Sequence, residues 1–269
     1  KRLSVLEKRG HGDMNLHDAL VQSCDVYFYT LGHRLGINNL AKYATKLGLG
    51  ELTGIALKGE KSGLVPSKQW KKKFKNEPWY PGETISASIG QGYSLVTPLQ
   101  SARMISTIAS GGLLVRPYLV KRIEDYDGRL IQEFFPKVIK KIKIEPEVLR
   151  NIKEGLRGVV HEAHGTGRRA RLKNVIVAGK TGTAQVVAMK DSDEIDPEEE
   201  TPYSHRDHAW FVAFAPYENP EVAVSVIIEH GGHGGATAAP IAGGILKTYF
   251  SHYPPSKTIE LDKDKIEVN

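Results

Sequence analysis

One lysine, two threonines and a glycine stand together in residues 174–185, which read Asn-Val-Ile-Val-Ala-Gly-Lys-Thr-Gly-Thr-Ala-Gln. Lys180 offers a fixed positive charge, and the hydroxyl groups of Thr181 and Thr183 offer hydrogen-bond donors. A cation and donors at one place suit the binding of a carboxylate. The β-branched residues before Lys180 predict a buried strand that carries these side chains to its edge. Between the threonines, Gly182 would let the backbone of a ligand approach the strand closely.

Two observations compete with this interpretation: a similar triplet occurs elsewhere in the chain, and part of the segment matches a phosphate-binding motif. A Lys-Ser-Gly triplet at 61–63 lies in a polar stretch without an apolar run before it, so context favours Lys180. Residues 179–181, Gly-Lys-Thr, also match the end of a phosphate-binding P-loop. That motif requires glycine where Asn174 stands, and it requires exposed backbone N–H groups where residues 175–178 predict a strand. The nucleotide-binding alternative therefore lacks the loop on which it depends.

Length and composition describe a globular protein. The 269 residues are 40% hydrophobic and contain no run of 18 apolar residues, so no membrane-spanning segment is predicted within them. The single cysteine, Cys24, excludes an internal disulfide and a four-cysteine metal site. The net charge of +6 comes partly from lysine clusters at 71–75 and 140–143. We interpret these clusters as solvated faces, because no nucleic-acid-binding motif accompanies them.

The elements around the lysine strand follow from periodicity and from turn residues. Residues 15–49 predict successive helices, with Asn38 as the cap of the last helix. The triplet Ser23-Cys24-Asp25 falls at a junction between two of them, where it is typical of a helix cap. Residues 50–98 predict irregular structure around short elements, and 191–200 predict a mobile acidic loop.

The second half of the chain predicts a sheet covered by helices. Helices are predicted from Thr97-Pro98 to Gly111, from Glu145-Pro146 to 165–167, and over 236–250. Strands are predicted at 113–126 and 129–134, joined by a turn at Asp127-Gly128, and at 209–215 and 221–229. With the lysine strand, the last two would form consecutive antiparallel neighbours. The fold class predicted is therefore α/β (α+β).

Ser-x-[Asn/Asp] on a helical lobe, followed by Lys-Thr-Gly on a strand near the C-terminus, is a pattern of penicillin-binding proteins and serine β-lactamases. The chain resembles the class B penicillin-binding proteins of the elongation machinery over nearly its whole length. The segments that carry this resemblance are Ser-Cys-Asp-Val-Tyr-Phe-Tyr at 23–29, Trp-Tyr-Pro-Gly-Glu at 79–83, Ile-Gly-Gln-Gly-Tyr at 89–93, 179–185, and His-Ala-Trp-Phe at 208–211.

The resemblance implies a transpeptidase fold, with an antiparallel sheet flanked by helices and a helical lobe. Residues 1–254 would form the C-terminal portion of the transpeptidase domain, and 255–269 a charged tail. The implied reaction is acyl transfer on peptidoglycan stem peptides, in which a serine attacks the penultimate D-Ala carbonyl and a neighbouring amine accepts the acyl group. β-Lactams would acylate the same serine. The resemblance implies no cofactor.

Roles for the site residues are likewise implied by the resemblance. Ser23 would relay a proton between the leaving nitrogen and a catalytic lysine, and Asp25 would orient this serine where many relatives have Asn. Lys180 would supply positive potential.

On the strand itself, Thr181 and Thr183 would bind the terminal carboxylate of the substrate. The Thr183 N–H would form half of an oxyanion hole, and such a donor lowers the barrier by about 3 kcal/mol. Gly182 and Gln185 would contact a substrate that lies antiparallel along the strand.

One part of the family pattern is absent. No Ser-x-x-Lys, the motif that holds the nucleophile and base in the family, occurs in the sequence. We expect it upstream of Lys1, which would make the 269 residues an inactive fragment. A noncatalytic scaffold or sensor with the same fold is the alternative.

The resemblance also implies partners and placement. We expect an extracytoplasmic protein that is anchored in the membrane by an upstream segment and associates with a membrane-embedded glycosyltransferase and other elongation-complex proteins, but not with nucleic acid. Some relatives bind zinc near the second motif, and His11 and Cys24 could supply two ligands. Because Val5 stands where a ligand Asp is expected, we predict no metal, a buried neutral Cys24 and a solvent-facing His11.

Overall fold

The computed structural model of the chain describes residues 10–186, 201–255 and 267–268. The predicted acidic loop at 191–200 and nearly all of the predicted tail lie outside the described residues. The helices are α1 (Leu16–Val21), α2 (Asp25–Leu35), α3 (Ile37–Lys46), α4 (Lys68–Lys75), α5 (Pro81–Ser88), α6 (Pro98–Ala109), α7 (Pro146–His161) and α8 (Ala238–His252). The strands are β1 (Leu113–Arg116), β2 (Arg122–Glu124), β3 (Leu130–Glu133), β4 (Lys137–Lys141), β5 (Ala178–Ala184), β6 (His208–Ala215), β7 (Val222–Ile228) and β8 (Glu267–Val268).

The central sheet has the order β5-β6-β7 and is antiparallel throughout. Side chains of β6 alternate between its two faces, as the pleat of a strand requires. Phe211 packs in the cluster that contains Leu246 of α8, whereas Phe214 packs in the cluster that contains Ile105 of α6. The sheet is therefore covered by a helix on each face. β5 forms one edge of this sheet, so the backbone groups on its outer side have no strand partner among the described residues.

Helices α1, α2, α3 and α5 form the helical lobe, and α7 joins this lobe to the sheet. Two glycines of α7 allow α1 to pack closely. A Cβ atom on Gly155 would lie 2.6 Å from Leu20 Cδ1, and one on Gly158 would lie 2.6 Å from Val21 Cγ2. Either contact would push α1 away from α7. These two glycines therefore set how closely the C-terminal end of α1 approaches α7.

The structure confirms the predicted α/β class and most of the elements. The hairpin is formed by β2 and β3, which pair antiparallel around the turn that contains Gly128. The predicted strand at 113–126 is instead two strands, because β1 pairs with β4 and β2 pairs with β3. Asn38 does not cap α3, whose N-cap is Gly36. The Asn38 side chain accepts a hydrogen bond from the Lys68 N–H at 3.3 Å.

The lysine strand also differs from its prediction at its start. β5 begins at Ala178, and residues 175–177 precede it as irregular backbone. Val175 and Val177 are buried in the core, so their apolar character reflects burial and not strand pairing. Lys180 lies in the middle of this extended strand, opposite Val212. Residues 179–181 therefore lie on an extended strand, whereas a P-loop needs a loop at the start of a helix.

Within the described part of the chain, none of the helices has both the length and the apolar character that crossing a bilayer requires.

Candidate active site

Ser23 occupies the corner between α1 and α2. Its φ angle of +55° lies in the left-handed region, where a residue other than glycine is strained by about 1–3 kcal/mol. The N-cap of α2 is Cys24, which makes no side-chain capping bond. The helix-cap interpretation of this triplet is therefore wrong, because Cys24 holds the N-cap position and the Ser23 hydroxyl group accepts a hydrogen bond from Lys180 Nζ at 2.7 Å.

The Lys180 ammonium group has three oxygen neighbours. Besides Ser23 Oγ, it donates to the carbonyl oxygen of Thr181 at 3.0 Å and lies 3.4 Å from Thr181 Oγ1. Burial lowers the pKa of Lys180 to about 8, while the negative charge of Asp25 opposes this shift. At pH 7 the ammonium form still exceeds the neutral amine by about ten to one. Lys180 is therefore a partly buried cation that titrates close to neutral pH.

The carboxyl group of Asp25, in the first turn of α2, lies near Lys180 and His11. Burial raises the pKa of its carboxyl group, and Lys180 and His11 act in the opposite direction. No hydrogen bond between Asp25 and Ser23 is found among the described residues. The structure thus brings Asp25 to the site as the counter-charge of Lys180, and its predicted role in orienting Ser23 stays a prediction.

Thr166, which was predicted only as part of a helix end, extends this network. Thr166 Oγ1 lies 2.9 Å from Thr181 Oγ1, and the Thr166 N–H donates to the carbonyl oxygen of Val21 at 3.3 Å. Thr166 therefore joins the α1–α2 corner to β5. The only signal in the sequence was a threonine between two glycines after α7.

Thr183, on the same face of β5 as Thr181, has a partly exposed hydroxyl group that makes no hydrogen bond to the described residues. Its carbonyl oxygen accepts a hydrogen bond from Gln91 Nε2 at 2.8 Å. The Gln185 N–H donates to Gln91 Oε1 at 3.3 Å, and the Gln185 side chain is exposed. In the sequence, flanking glycines mark the loop of Gln91, but no motif predicted a role for its side chain.

Gly182 lies between the two threonines on the face shared with Lys180 and Trp210. A Cβ atom on Gly182 would lie 3.2 Å from Trp210 Cβ. The structure brings the two predicted motifs together at the junction of the helical lobe and β5. Ser23 and Asp25 lie beside Lys180, and Thr181, Gly182, Thr183 and Gln185 follow Lys180 along the chain.

His11 and Cys24 line the same open cavity beside α2. Cys24 is 4% exposed, as predicted, whereas His11 is partly buried and its Nδ1 atom has no hydrogen-bond partner, so the prediction of a solvent-facing histidine is wrong. Within residues 10–186 and 201–255, the His, Cys, Asp and Glu side chains form no group of three or more that could hold a metal ion.

The arrangement favours proton transfer next to a bound anion. Because Ser23 Oγ accepts its hydrogen bond from an ammonium group, its own proton stays available for donation. The Lys180 ammonium group lies against Thr181 at the edge of β5, where its charge and the threonine hydroxyl group can bind a carboxylate.

The family model of the penicillin binding protein transpeptidase domain matches residues 4–247. The peptidoglycan D,D-transpeptidase MrdA of Haemophilus influenzae is 38% identical over 258 residues, which are 95% of this chain and 39% of that protein.

Two solved structures of PBP2 have a fold similar to that of this chain. PBP2 of Helicobacter pylori, in its complex with MreC, superimposes with a TM-score of 0.75 at 34% identity over 92% of this chain and 42% of that one. PBP2 of Pseudomonas aeruginosa, in complex with WCK 5153, gives a TM-score of 0.74 at 35% identity over 94% of this chain and 49% of that one. The chain spans about two fifths of the length of the curated relative that it matches.

Proposed function

The chain belongs to the penicillin-binding protein transpeptidase family, and we propose that it forms part of a peptidoglycan D,D-transpeptidase that cross-links stem peptides through a serine acyl-enzyme. The observation that carries this proposal is the hydrogen bond of 2.7 Å between Lys180 Nζ and Ser23 Oγ. It joins two motifs that lie 157 residues apart in the sequence. A scaffold without chemistry has no need for a strained serine against a desolvated lysine.

In the proposed reaction, the terminal carboxylate of the stem peptide binds the Lys180 ammonium and the hydroxyl groups of Thr181 and Thr183. A nucleophilic serine attacks the penultimate D-Ala carbonyl, and the Thr183 N–H stabilises the oxyanion that forms. Ser23 Oγ then donates its proton to the nitrogen of the leaving D-Ala. A catalytic lysine, which takes the proton of the nucleophilic serine during the attack, passes that proton to Ser23, and the amine of a neighbouring stem peptide takes the acyl group in the reverse sequence.

The nucleophile and the catalytic lysine are proposed to come from a part of the complete protein outside these 269 residues, because the sequence contains no Ser-x-x-Lys. β-Lactams would acylate that serine and stop the cycle. Residues 1–254 would supply the proton relay and the carboxylate site of the transpeptidase domain, and 255–269 a tail.

We further propose that the complete protein acts at the extracytoplasmic face of the membrane, held there by a membrane anchor. MreC is the partner of the Helicobacter pylori relative. The corresponding proposal for this protein is association with elongation-complex proteins and a membrane-embedded glycosyltransferase.

The test is intact mass spectrometry, followed by peptide mapping, of the complete protein and of this chain after incubation with a penicillin. We expect a covalent adduct on the complete protein only, at a serine outside residues 1–269. No adduct on the folded complete protein would favour the noncatalytic scaffold or sensor. An adduct on this chain alone would show that the nucleophile is misassigned.

A further inference from the structure

The side chain of Gln91 covers the outer edge of β5 beside Thr183. In a strand, the N–H and C=O of one residue point to the same side, so the Thr183 N–H and the Thr183 carbonyl both face away from β6. Gln91 Nε2 donates to this carbonyl at 2.8 Å, and Gln91 Oε1 accepts from the Gln185 N–H at 3.3 Å. The Gln91 carboxamide thus occupies two backbone groups, the Thr183 carbonyl and the Gln185 N–H, with which an added peptide strand could pair.

The backbone of Gln91 is held independently of its side chain. α5 ends with two bonds, from the Gln91 N–H to the Ser86 carbonyl at 3.0 Å and from the Gly90 N–H to the Ala87 carbonyl at 3.1 Å. With Gly90 at a φ angle of +80°, this is the arrangement of a Schellman motif. Beyond it, the ring of Tyr93 packs on that of Trp70 with centroids 5.1 Å apart.

The side chain, by contrast, is held weakly. Gln91 is only partly buried, and its carboxamide makes two neutral hydrogen bonds, both to β5. Rotation about its side-chain bonds would uncover the Thr183 carbonyl without moving the loop, and such rotations are fast compared with turnover.

A peptide that pairs with Thr183 needs this carbonyl. In antiparallel pairing, one residue of the added strand accepts from the Thr183 N–H and donates to the Thr183 carbonyl at the same time. Gln91 occupies the Thr183 carbonyl, and its side chain makes no hydrogen bond to the Thr183 N–H in the described part of the chain. The peptide and the Gln91 carboxamide therefore compete for one acceptor.

We propose that Gln91 is a removable cap on β5, which occupies the Thr183 carbonyl in the free protein and is displaced when the acyl donor pairs with the strand. The cap makes binding selective for ligands whose own N–H replaces the bond that it gives up. This inference rests on the proposed function, because it takes the acyl donor to lie along β5.

The test compares acylation of the complete protein by two ligands. Benzylpenicillin carries an acylamino N–H next to its β-lactam carbonyl, and penicillanic acid lacks that group. Since a neutral hydrogen bond contributes about 0.5–1.5 kcal/mol, we expect Gln91→Ala to raise the second-order rate constant for benzylpenicillin about two- to tenfold. The rate constant for penicillanic acid should change less than about twofold.

Gln91→Glu is the second variant, because a carboxylate can still accept from the Gln185 N–H but cannot donate to the Thr183 carbonyl. We expect the same selective gain. Gln132→Ala, which removes an exposed carboxamide from the β2–β3 hairpin, is the matched control and should change neither rate constant.

An unchanged or lower rate constant for benzylpenicillin in both Gln91 variants would overturn the cap and make Gln91 a support of the strand or a substrate contact. An equal gain with both ligands would also overturn it, since a general loosening of β5 would then explain the gain. If the folded wild-type protein forms no adduct, the proposed function fails and this inference fails with it. If the wild type is acylated and the selective gain is absent, only the cap is wrong.

Discussion

The most specific prediction about the site follows from the pKa of Lys180. Burial lowers this pKa to about 8. The protonated fraction of the amine is therefore about 0.9 at pH 7 and about 0.1 at pH 9. Only the ammonium form carries the charge that attracts the carboxylate of the ligand, and it is the stronger hydrogen-bond donor to Ser23. We expect the second-order rate constant of acylation to fall about tenfold between pH 7 and pH 9, with its midpoint close to the pKa of Lys180.

Asp25→Asn supplies the directional test. The Asp25 charge raises the pKa of Lys180, so its removal should lower that pKa and move the alkaline fall in rate to lower pH. Lys180→Arg is the matched control, because a guanidinium group stays charged throughout this range. We expect that variant to be slower at neutral pH and to lose the alkaline fall.

The assay is the pseudo-first-order rate of adduct formation with a fluorescent penicillin on the complete protein, measured from pH 6 to pH 9.5 at low ligand concentration. Under these conditions the profile reports groups of the free protein. A flat wild-type profile up to pH 9 would refute the assigned role of the Lys180 charge. A midpoint that moves to higher pH in Asp25→Asn would refute the electrostatic coupling.

Three further predictions concern packing around β5. Gly182→Val should abolish acylation of the complete protein while its melting temperature stays within a few degrees, because the added side chain blocks the ligand; retained acylation would contradict the role of this strand. Thr166→Val removes the hydroxyl bonded to Thr181, and stopped-flow acylation should slow about two- to tenfold, with rescue by Thr166→Ser. Gly234→Ala places a Cβ atom 2.2 Å and 2.3 Å from two backbone oxygens, so chemical denaturation should show a loss of stability, whereas Gly244→Ala, which meets no atom within 4 Å in α8, should stabilise by about 0.5–1 kcal/mol. A stable Gly234→Ala variant would show that the loop before α8 can shift freely.

Local signals in the sequence were sufficient to predict most of the helices and strands. Thr97 caps α6 with its side chain and Pro98 follows at the first helical position, as predicted, because these bonds lie within one turn of the chain. The hairpin of β2 and β3 and the start of α7 at Pro146 have the same local origin. Where a local signal misled, as for residues 175–177, burial in the core had produced the apolar pattern of a strand.

The sequence by itself therefore determined which residue types could act: a serine at a helix corner, and a lysine, threonines and glycine on one strand. It also determined the family resemblance, since the motifs are short and contiguous. It did not determine how these residues meet, because contacts between segments far apart in the chain depend on the packing of α1 on α7.

Only the tertiary structure brings Lys180 within 2.7 Å of Ser23 and buries it enough to lower its pKa to about 8. Only the tertiary structure places the Gln91 carboxamide on the Thr183 carbonyl, 92 residues further along the chain. Desolvation, counter-charge and the competition for an edge carbonyl are properties of groups brought together in space, and no spacing in the sequence encodes them locally.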